Sequence, residues 1–498
     1  MISSPSAAPS AASSLMCPPG LSGATLGAPR MSVGNPFASV REVGTDRCRE
    51  RPEKGQRCAI LLAVTRLGFL LDSGACIGCH ACTVACKSEH DVPLGVNRTW
   101  VNYVETGEFP QTQRHFAVMR CNHCDDAPCI AICPTGALFR ASNGVVDFDD
   151  SRCIGCKGCM NACPYDALYI SPTTGTAHKC NFCQHKLEVG LEPSCVSVCP
   201  TRAITVVDHD SPEDTVAARI RTENLPVRAP ERRTLPKVHY AGTVPEALDP
   251  LARPVADDGL IWADWTGSAS WPSESKTTPA ARTAYTVSHD EPWGAKVAGY
   301  MVTKGVAAGV MLWAAAAALL GWDDRAAVAT GPAVIALVAL AVTGVLLIAD
   351  LKRPERFWYL FAKGRLRSWI TAGAWVIMID GALVTLWGIA GLWGDSTWFV
   401  VLIGPTAVFS FLTAAYTALL LRQCRGRVLW ADRPALALIG RLAGEAVLGG
   451  GAVWAAFVAL RANAAVFAWT PVVAAAVLAW LYRHDRAYLR AAQTVPLS

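Results

Sequence analysis

Beyond residue 295 the chain stops mixing polar with apolar positions and runs in long apolar blocks. These blocks cover 297–321, 326–349, 369–393, 398–421, 435–460 and 464–482. Each approaches or exceeds the ~20 residues with which an α-helix crosses ~30 Å of hydrocarbon. The pattern predicts an all-α transmembrane bundle of about six spans over 295–485, followed by a short tail, 486–498. The fifth block carries Arg441 and Glu445, which at four residues apart share one helix face and can pair.

Upstream the pattern differs. Between 63 and 207 the apolar stretches are short and separated by cysteine-rich loops, as in an α+β domain with small strands. "LGFLLD" (67–72) predicts a strand before the first cysteine group, and "GVVDFDD" (144–150) predicts its counterpart before the third. Residues 208–294 are polar and proline-rich, which predicts a linker or a strap over the domain surface, with a helix over 213–224. Residues 1–62 are rich in Ser, Ala, Pro, Gly and Arg without periodicity, the composition of a disordered tail. "CAILLAVTRLGFLL" (58–71) is not a good signal peptide: Arg66 interrupts it, no small-residue cleavage site follows, and no Arg-Arg pair precedes the cysteines.

Composition agrees with a partly lipid-embedded chain: 52% of the 498 residues are hydrophobic and 17% charged. The formal charge of +5 is no argument for nucleic acid, because it counts every thiol as neutral. Loop charges are more informative. The segment 350–368 carries Lys352, Arg353, Arg356, Lys363, Arg365 and Arg367 against Asp350 and Glu355. The loop after 421 and the chain end are basic too, whereas "WDDR" and "GDS" are not. By the positive-inside rule this alternation puts the basic loops, and by parity the cysteine domain, on the cytoplasmic side of the inner membrane.

Sixteen of the twenty cysteines fall into four quartets: Cys76, Cys79, Cys82, Cys86; Cys121, Cys124, Cys129, Cys133; Cys153, Cys156, Cys159, Cys163; and Cys180, Cys183, Cys195, Cys199. The spacing C-x2-C-x2-C-x3-C-P is that of bacterial ferredoxins, in which three thiolates wrap one [4Fe-4S] cube and the fourth reaches a second cube. Three quartets end in "CPTGAL", "CPYDAL" and "CPTRAI"; the first has Lys87 in place of the proline. Zinc would call for paired C-x2-C units with a longer spacer. A disulfide scaffold is normally short and secreted. Four cubes, built across quartets, are therefore expected, with the partner of each quartet left open. With sixteen thiols for four cubes, His80, His123, His178 and His185 have no ligand vacancy to fill.

Over residues 64–207 these quartets resemble the four-cluster iron–sulfur subunit of complex molybdopterin oxidoreductases, the dimethyl sulfoxide, polysulfide, tetrathionate and formate-linked type. The membrane half resembles the polysulfide-reductase/NrfD anchor family, through "DLKRPERFWYL" and "RSWITAGAW". The resemblance implies that the first quartet pairs with the fourth and the second with the third. The ligand sets are then Cys76, Cys79, Cys82 with Cys199; Cys180, Cys183, Cys195 with Cys86; Cys121, Cys124, Cys129 with Cys163; and Cys153, Cys156, Cys159 with Cys133. It also implies electron relay between membrane quinone (menaquinone or ubiquinone) and a separate molybdopterin-type catalytic subunit.

Within the bundle, Asp380 falls mid-span, where an ionisable residue is a functional candidate by default. Asp380, Arg353 of the anchor-like loop and Tyr416 are the candidate quinone residues; Trp369 reads rather as an interface anchor. No G-x-G-x-x-G fingerprint, P-loop or pterin domain is apparent, so the chain is expected to be an electron-transfer and anchor subunit rather than an enzyme. Two other functions compete: a quinone-reactive oxidoreductase fed by ferredoxin or a hydrogenase, and a scaffold with mainly structural clusters.

Overall fold

A computed structural model describes residues 65–107, 110–252, 281–393, 396–462, 469–495 and 497. The expected tail 1–62 and the linker portion 253–280 lie outside the described residues. The cysteine domain repeats one simple unit: a strand, a quartet loop, a short helix, a turn and a second strand. In chain order its elements are β1 (Leu67–Asp72), α1 (Ala81–Glu89), β2 (Thr99–Thr106), β3 (Gln113–Arg120), α2 (Pro128–Ile132), β4 (Leu138–Arg140), β5 (Val146–Phe148), α3 (Gly158–Ala162), β6 (Leu168–Ile170), β7 (Ala177–Lys179), α4 (Gln184–Leu187), α5 (Ser194–Ser197) and β8 (Ile204–Asp208). The strands expected at "LGFLLD" and "GVVDFDD" are β1 and β5. In each of the three Cys-Pro phrases the proline ends the helical turn, and the chain re-extends into β4, β6 or β8.

Residues 208–294 do more than link. After α6 (Thr215–Thr222), which fills the expected 213–224 helix, β9 (Val238–Ala241) joins the first sheet. That sheet has the order β8-β1-β9, with β1 antiparallel to β8 (Leu67↔Asp208) and parallel to β9 (Phe69↔Val238). After α7 (Pro245–Leu248), β10 (Ala281–Tyr285) pairs with β2, which itself forms a hairpin with β3 (Thr99↔Arg120). The Pro-rich stretch thus lies along the sheets as edge strands, where proline is tolerated.

The bundle follows: α8 (Ala295–Leu319), α9 (Gly331–Asp350), α10 (Tyr359–Ala362), α11 (Trp369–Trp393), α12 (Ser396–Gln423), α13 (Val428–Ala431), α14 (Ala435–Arg461) and α15 (Thr470–Gln493). A π-helical turn, Ala326–Thr330, leads into α9, and the indoles of Trp387 and Trp454 donate to the carbonyls of Val328 and Ala327 there.

Five helices among the described residues are long and apolar enough to cross a membrane: 295–319, 326–350, 369–393, 397–423 and 435–461. The sixth expected run, 464–482, begins among residues outside the described ones, and its described part opens α15, whose second half carries Arg483, His484, Asp485, Arg486 and Arg490. This helix returns to the iron–sulfur side: the Trp293 amide donates to Gln493 Oε1 at 2.8 Å, so the start of α8 and the end of α15 meet.

Candidate metal centres and the cavity at the membrane domain

The quartet loops turn on left-handed residues. Gly78 (φ 69°) and Gly155 (φ 68°) occupy the third position of "CIGC", and His123 (φ 45°) and Phe182 (φ 65°) take the same place in the other two quartets. These turns point successive thiols inward. Cys76, Cys79 and Cys82 line one cavity with Cys199, and Cys153, Cys156 and Cys159 line another with Cys133. Cys86 is close enough to Cys180, Cys195 and Cys183 for their charges to interact, and Cys129 is equally close to Cys121, Cys124 and Cys163. The fourth cysteine of every quartet thus sits with the triplet of another.

These groups do not suit a single ion. Among the described residues, one trio of His, Cys, Asp or Glu ligand atoms lies within 4.8 Å of one another, and it is Glu445, His484 and Asp485. Four thiolates on one tetrahedral zinc, with Zn–S near 2.3 Å, would stand roughly 3.8 Å apart. The wider cysteine groups ring a space, as the corners of a cube require. None of the seventeen described cysteines forms a disulfide. Burial pushes the thiols up, Cys82 to about 11 and Cys124, Cys156, Cys163 and Cys180 to about 12. Such thiols ionise when a metal centre takes the place of their protons.

Buried cations compensate the thiolates. Arg120 donates to Cys195 Sγ at 3.4 Å and lies 4.4 Å over the Phe69 ring. Lys179 is fully buried, donating to the carbonyls of Cys180 and Val146. The four histidines take supporting positions. His123 is buried and accepts from the Val146 amide at 3.2 Å, while His185 and His178 pair with Glu89 and Asp150 at 2.8 and 3.1 Å. His80 stands 5.4 Å from the Tyr103 ring.

The four groups form a row. Cys82 of the first interacts with Cys195 of the second, Cys180 of the second with Cys121 of the third, and Cys159 of the fourth with Cys129 of the third. The last group abuts the bundle. Lys157 Nζ lies 2.8 Å from Asp350, and the amides of Lys352 and Arg353 donate to Gly155 and Ile154. Arg356 donates to the carbonyls of Asp150 and Cys153 at 2.6 and 2.9 Å, and Arg427 to Asn161 at 3.1 Å. The basic loop 350–368, read from sequence as a topology signal, is the seat of the iron–sulfur domain.

At this seat a cavity of about 290 Å3 opens between α8, α9, α11 and α12. Its lining is mostly apolar, with Tyr300, Asp350 and Tyr416 as polar groups and Cys156 and Ile154 contributed by the third quartet loop. Of the three residues expected at a quinone, Tyr416 lines this cavity. Arg353 stands off it, its guanidinium 3.4 Å from Glu355, and Asp380 accepts from Ser410 of α12 at 2.9 Å inside the bundle. Trp369 is partly buried at the start of α11 and its amide donates to Gln423. Sequence reasoning passed over Tyr300, Trp293 and Lys304. The lysine was detectable as an ionisable residue within an apolar run.

Comparison with known proteins matches this division. Residues 75–138 and 112–209 each match the 4Fe-4S dicluster domain, and residues 284–480 match the polysulphide reductase NrfD family. The thiosulfate reductase electron transfer subunit PhsB of Salmonella typhi is 50% identical over 139 residues, 27% of this chain and 72% of that protein. The chain belongs to this family of iron–sulfur electron-transfer subunits. A tetrathionate reductase subunit of Salmonella typhimurium is 41% identical over 190 residues, covering 37% of this chain and 76% of that protein. The arsenate respiratory reductase iron-sulfur subunit ArrB of Shewanella sp. is 32% identical over 225 residues, 35% of this chain and 95% of that protein. This electron-transfer subunit therefore binds 4Fe-4S clusters and carries an NrfD-type membrane domain in the same chain. The relatives named are iron–sulfur or electron-transfer subunits of reductases, and the chain's part is likewise electron transfer.

Proposed function

We propose that the chain passes electrons through four [4Fe-4S] clusters between membrane quinone in the 290 Å3 cavity and a molybdopterin-type catalytic subunit. The observation that carries this reading is that Cys156 and Ile154 line both the fourth thiol cavity and the membrane cavity, so a carrier in one abuts a carrier in the other. When bound, the clusters supply one-electron carriage. The chain's own residues set their spacing, bury them and hold countercharge beside them. We assign the ligand sets by pairing the first quartet with the fourth and the second with the third, which the cavities shared with Cys199 and Cys133 support.

In the quinone cavity, Tyr300 and Tyr416 offer hydroxyls and aromatic faces to a quinone head group, and the apolar wall accepts its tail. At the other end of the row Cys79 is exposed, and Ile77, Val84 and Val198 present apolar side chains around it. An exposed apolar patch around an electron port suits a protein partner. We place the iron–sulfur side on the cytoplasmic face of the inner membrane. The basic loops 350–368 and 422–434 and the arginines of α15 support this, since all lie on that side. Protease accessibility of the iron–sulfur domain in sealed inverted and right-side-out vesicles tests the placement.

Metal analysis of the anaerobically purified complex tests the main reading. It predicts about sixteen iron atoms per chain and molybdenum or tungsten in a co-purifying large subunit. Full iron without a pterin-bearing partner would favour a ferredoxin or hydrogenase as the electron donor.

A further inference from the structure

Lys304 is an ionisable residue nine positions into an apolar helix, about 14 Å from the start of α8 at 1.5 Å per residue. It is 2% exposed, and its Nζ donates to two neutral groups, Thr417 Oγ1 at 2.5 Å and Ala414 O at 3.2 Å. The same ammonium stands 4.4 Å from the centre of the Tyr416 ring. Tyr416, and Tyr300 one turn before Lys304, both line the cavity assigned above to quinone. Lys304 is therefore one side chain removed from that cavity, against the Tyr416 ring.

Its other side faces charge. A void of about 10 Å3, at the lower bound for one water molecule, is lined by Lys304, Glu445 and Asp485. Arg441 holds these carboxylates, with Nε 2.8 Å from Glu445 and Nη2 2.8 Å from Asp485. Its guanidinium already supplies the positive charge on which the carboxylates converge, so the trio does not call for a metal ion. His484 Nδ1 lies 3.3 Å from Glu445. The His484 side chain is 44% exposed, stacks on Trp480 with 5.2 Å between centroids, and is flanked by exposed Arg483 and Arg486. A tryptophan with neighbouring arginines marks the interface level of a membrane helix. Small residues allow the close crossing of α8 and α14 that brings these groups together. A Cβ on Gly309 would run into the Ala446 carbonyl and lie 3.0 Å from Gly450 Cα.

We infer that His484, the Glu445–Asp485 pair, Lys304 and Thr417 form a proton relay from water on the iron–sulfur side to the quinone cavity. The inference rests on the quinone reading of that cavity. Quinone reduction consumes two electrons and two protons, Q + 2e− + 2H+ → QH2, and quinol oxidation returns them. Electrons cross at Cys156. A proton leaves the Lys304 ammonium through the Thr417 hydroxyl to the hydroxyls of Tyr300 and Tyr416, which interact with Thr417 and line the cavity, and from them to the quinone oxygen. The lysine is reprotonated from the carboxylate pair, itself refilled through His484. Oxidation runs the same path in reverse, so both particles exchange on one face of the cavity without passing through the span.

The test compares membranes containing wild type, Thr417→Val, Thr417→Ser and Lys304→Gln. Cluster reduction is followed after mixing with a short-chain quinol analogue and, separately, with dithionite, which demands no proton transfer. Thr417→Val and Lys304→Gln should slow the quinol-driven phase about 100-fold, within the range of lost proton transfer, with the dithionite phase and iron content unchanged. Thr417→Ser should restore the wild-type rate. If Lys304→Gln does not assemble, Thr417→Val decides. Quinol-driven rates equal to wild type, or equal slowing with dithionite, overturn the relay alone. Wild-type membranes that quinol cannot reduce overturn the quinone reading and the relay with it.

Discussion

Breaking the Lys157–Asp350 pair tests how the two halves are joined. Lys157 Nζ lies 2.9 and 2.8 Å from the two Asp350 oxygens, and the side chains are 10% and 16% exposed. Removing one partner of a buried pair leaves the other charge stranded, at a cost of about 3–5 kcal/mol. The residual exposure of both groups argues for the lower end, about 3 kcal/mol, which is about 100-fold at 1.4 kcal/mol per decade. The assay is the half-life of cluster absorbance in detergent at a fixed urea concentration, a measure of kinetic stability. Asp350→Leu and Lys157→Met should each shorten it by about that factor. The double variant replaces the pair with apolar groups, an exchange that is often nearly neutral, and should recover to within about tenfold of wild type. An unchanged half-life in Asp350→Leu, or a double variant that loses the sum of both singles, would refute the reasoning.

Three further outcomes follow from the geometry. Cys133→Ser should cost the cluster of the third quartet's triplet and Cys163→Ser that of the second's, each removing about four iron atoms; loss of the cluster from the mutated quartet's own triplet would show that ligands are not exchanged. Gly373 packs on Tyr416, where a Cβ would meet the ring and come within 2.9 Å of its Cζ. Gly373→Ala should therefore cost about 1–3 kcal/mol through overpacking and impair quinol-driven reduction while dithionite still reduces the clusters. Glu89 ties the first quartet to the fourth. Its carboxylate accepts from Ser194 at 2.6 Å and pairs with His185 and Lys186, which hold it down at about 2 against an ordinary 4.5. Because its folded-state value is depressed, the stability it adds is complete above about 4.5 and lost as pH falls toward 2. The difference in cluster retention between wild type and Glu89→Gln should stay constant from about pH 8 to about pH 5, and a difference that closes over that range would contradict the depressed value.

The metal-binding motifs were legible because their spacing is itself the geometry: three thiols on one tight loop and a fourth beyond a helical turn leave few alternatives. Five spans were equally plain, since lipid leaves a long apolar helix no substitute for its internal hydrogen bonds. The sixth run was less plain, because it is apolar only as far as Tyr482 and the helix continues through charged turns beyond it. Short edge strands such as β9 and β10 carry too few residues for an alternating pattern to show. The role of loop 350–368 was hidden for another reason. Basic residues serve topology and docking alike, and only the positions of Gly155, Cys153 and Lys157 show that Lys352, Arg356 and Asp350 do the second. Lys304 needed a partner on another helix before its isolation in an apolar run became chemistry.

The central claim is that the thiol row and the membrane cavity form one conducting unit. Electron paramagnetic resonance of anaerobic membranes, recorded after adding a quinol analogue, tests it most directly. The account predicts that quinol elicits reduced-cluster signals among those that dithionite elicits. Dithionite signals with none from quinol would contradict it.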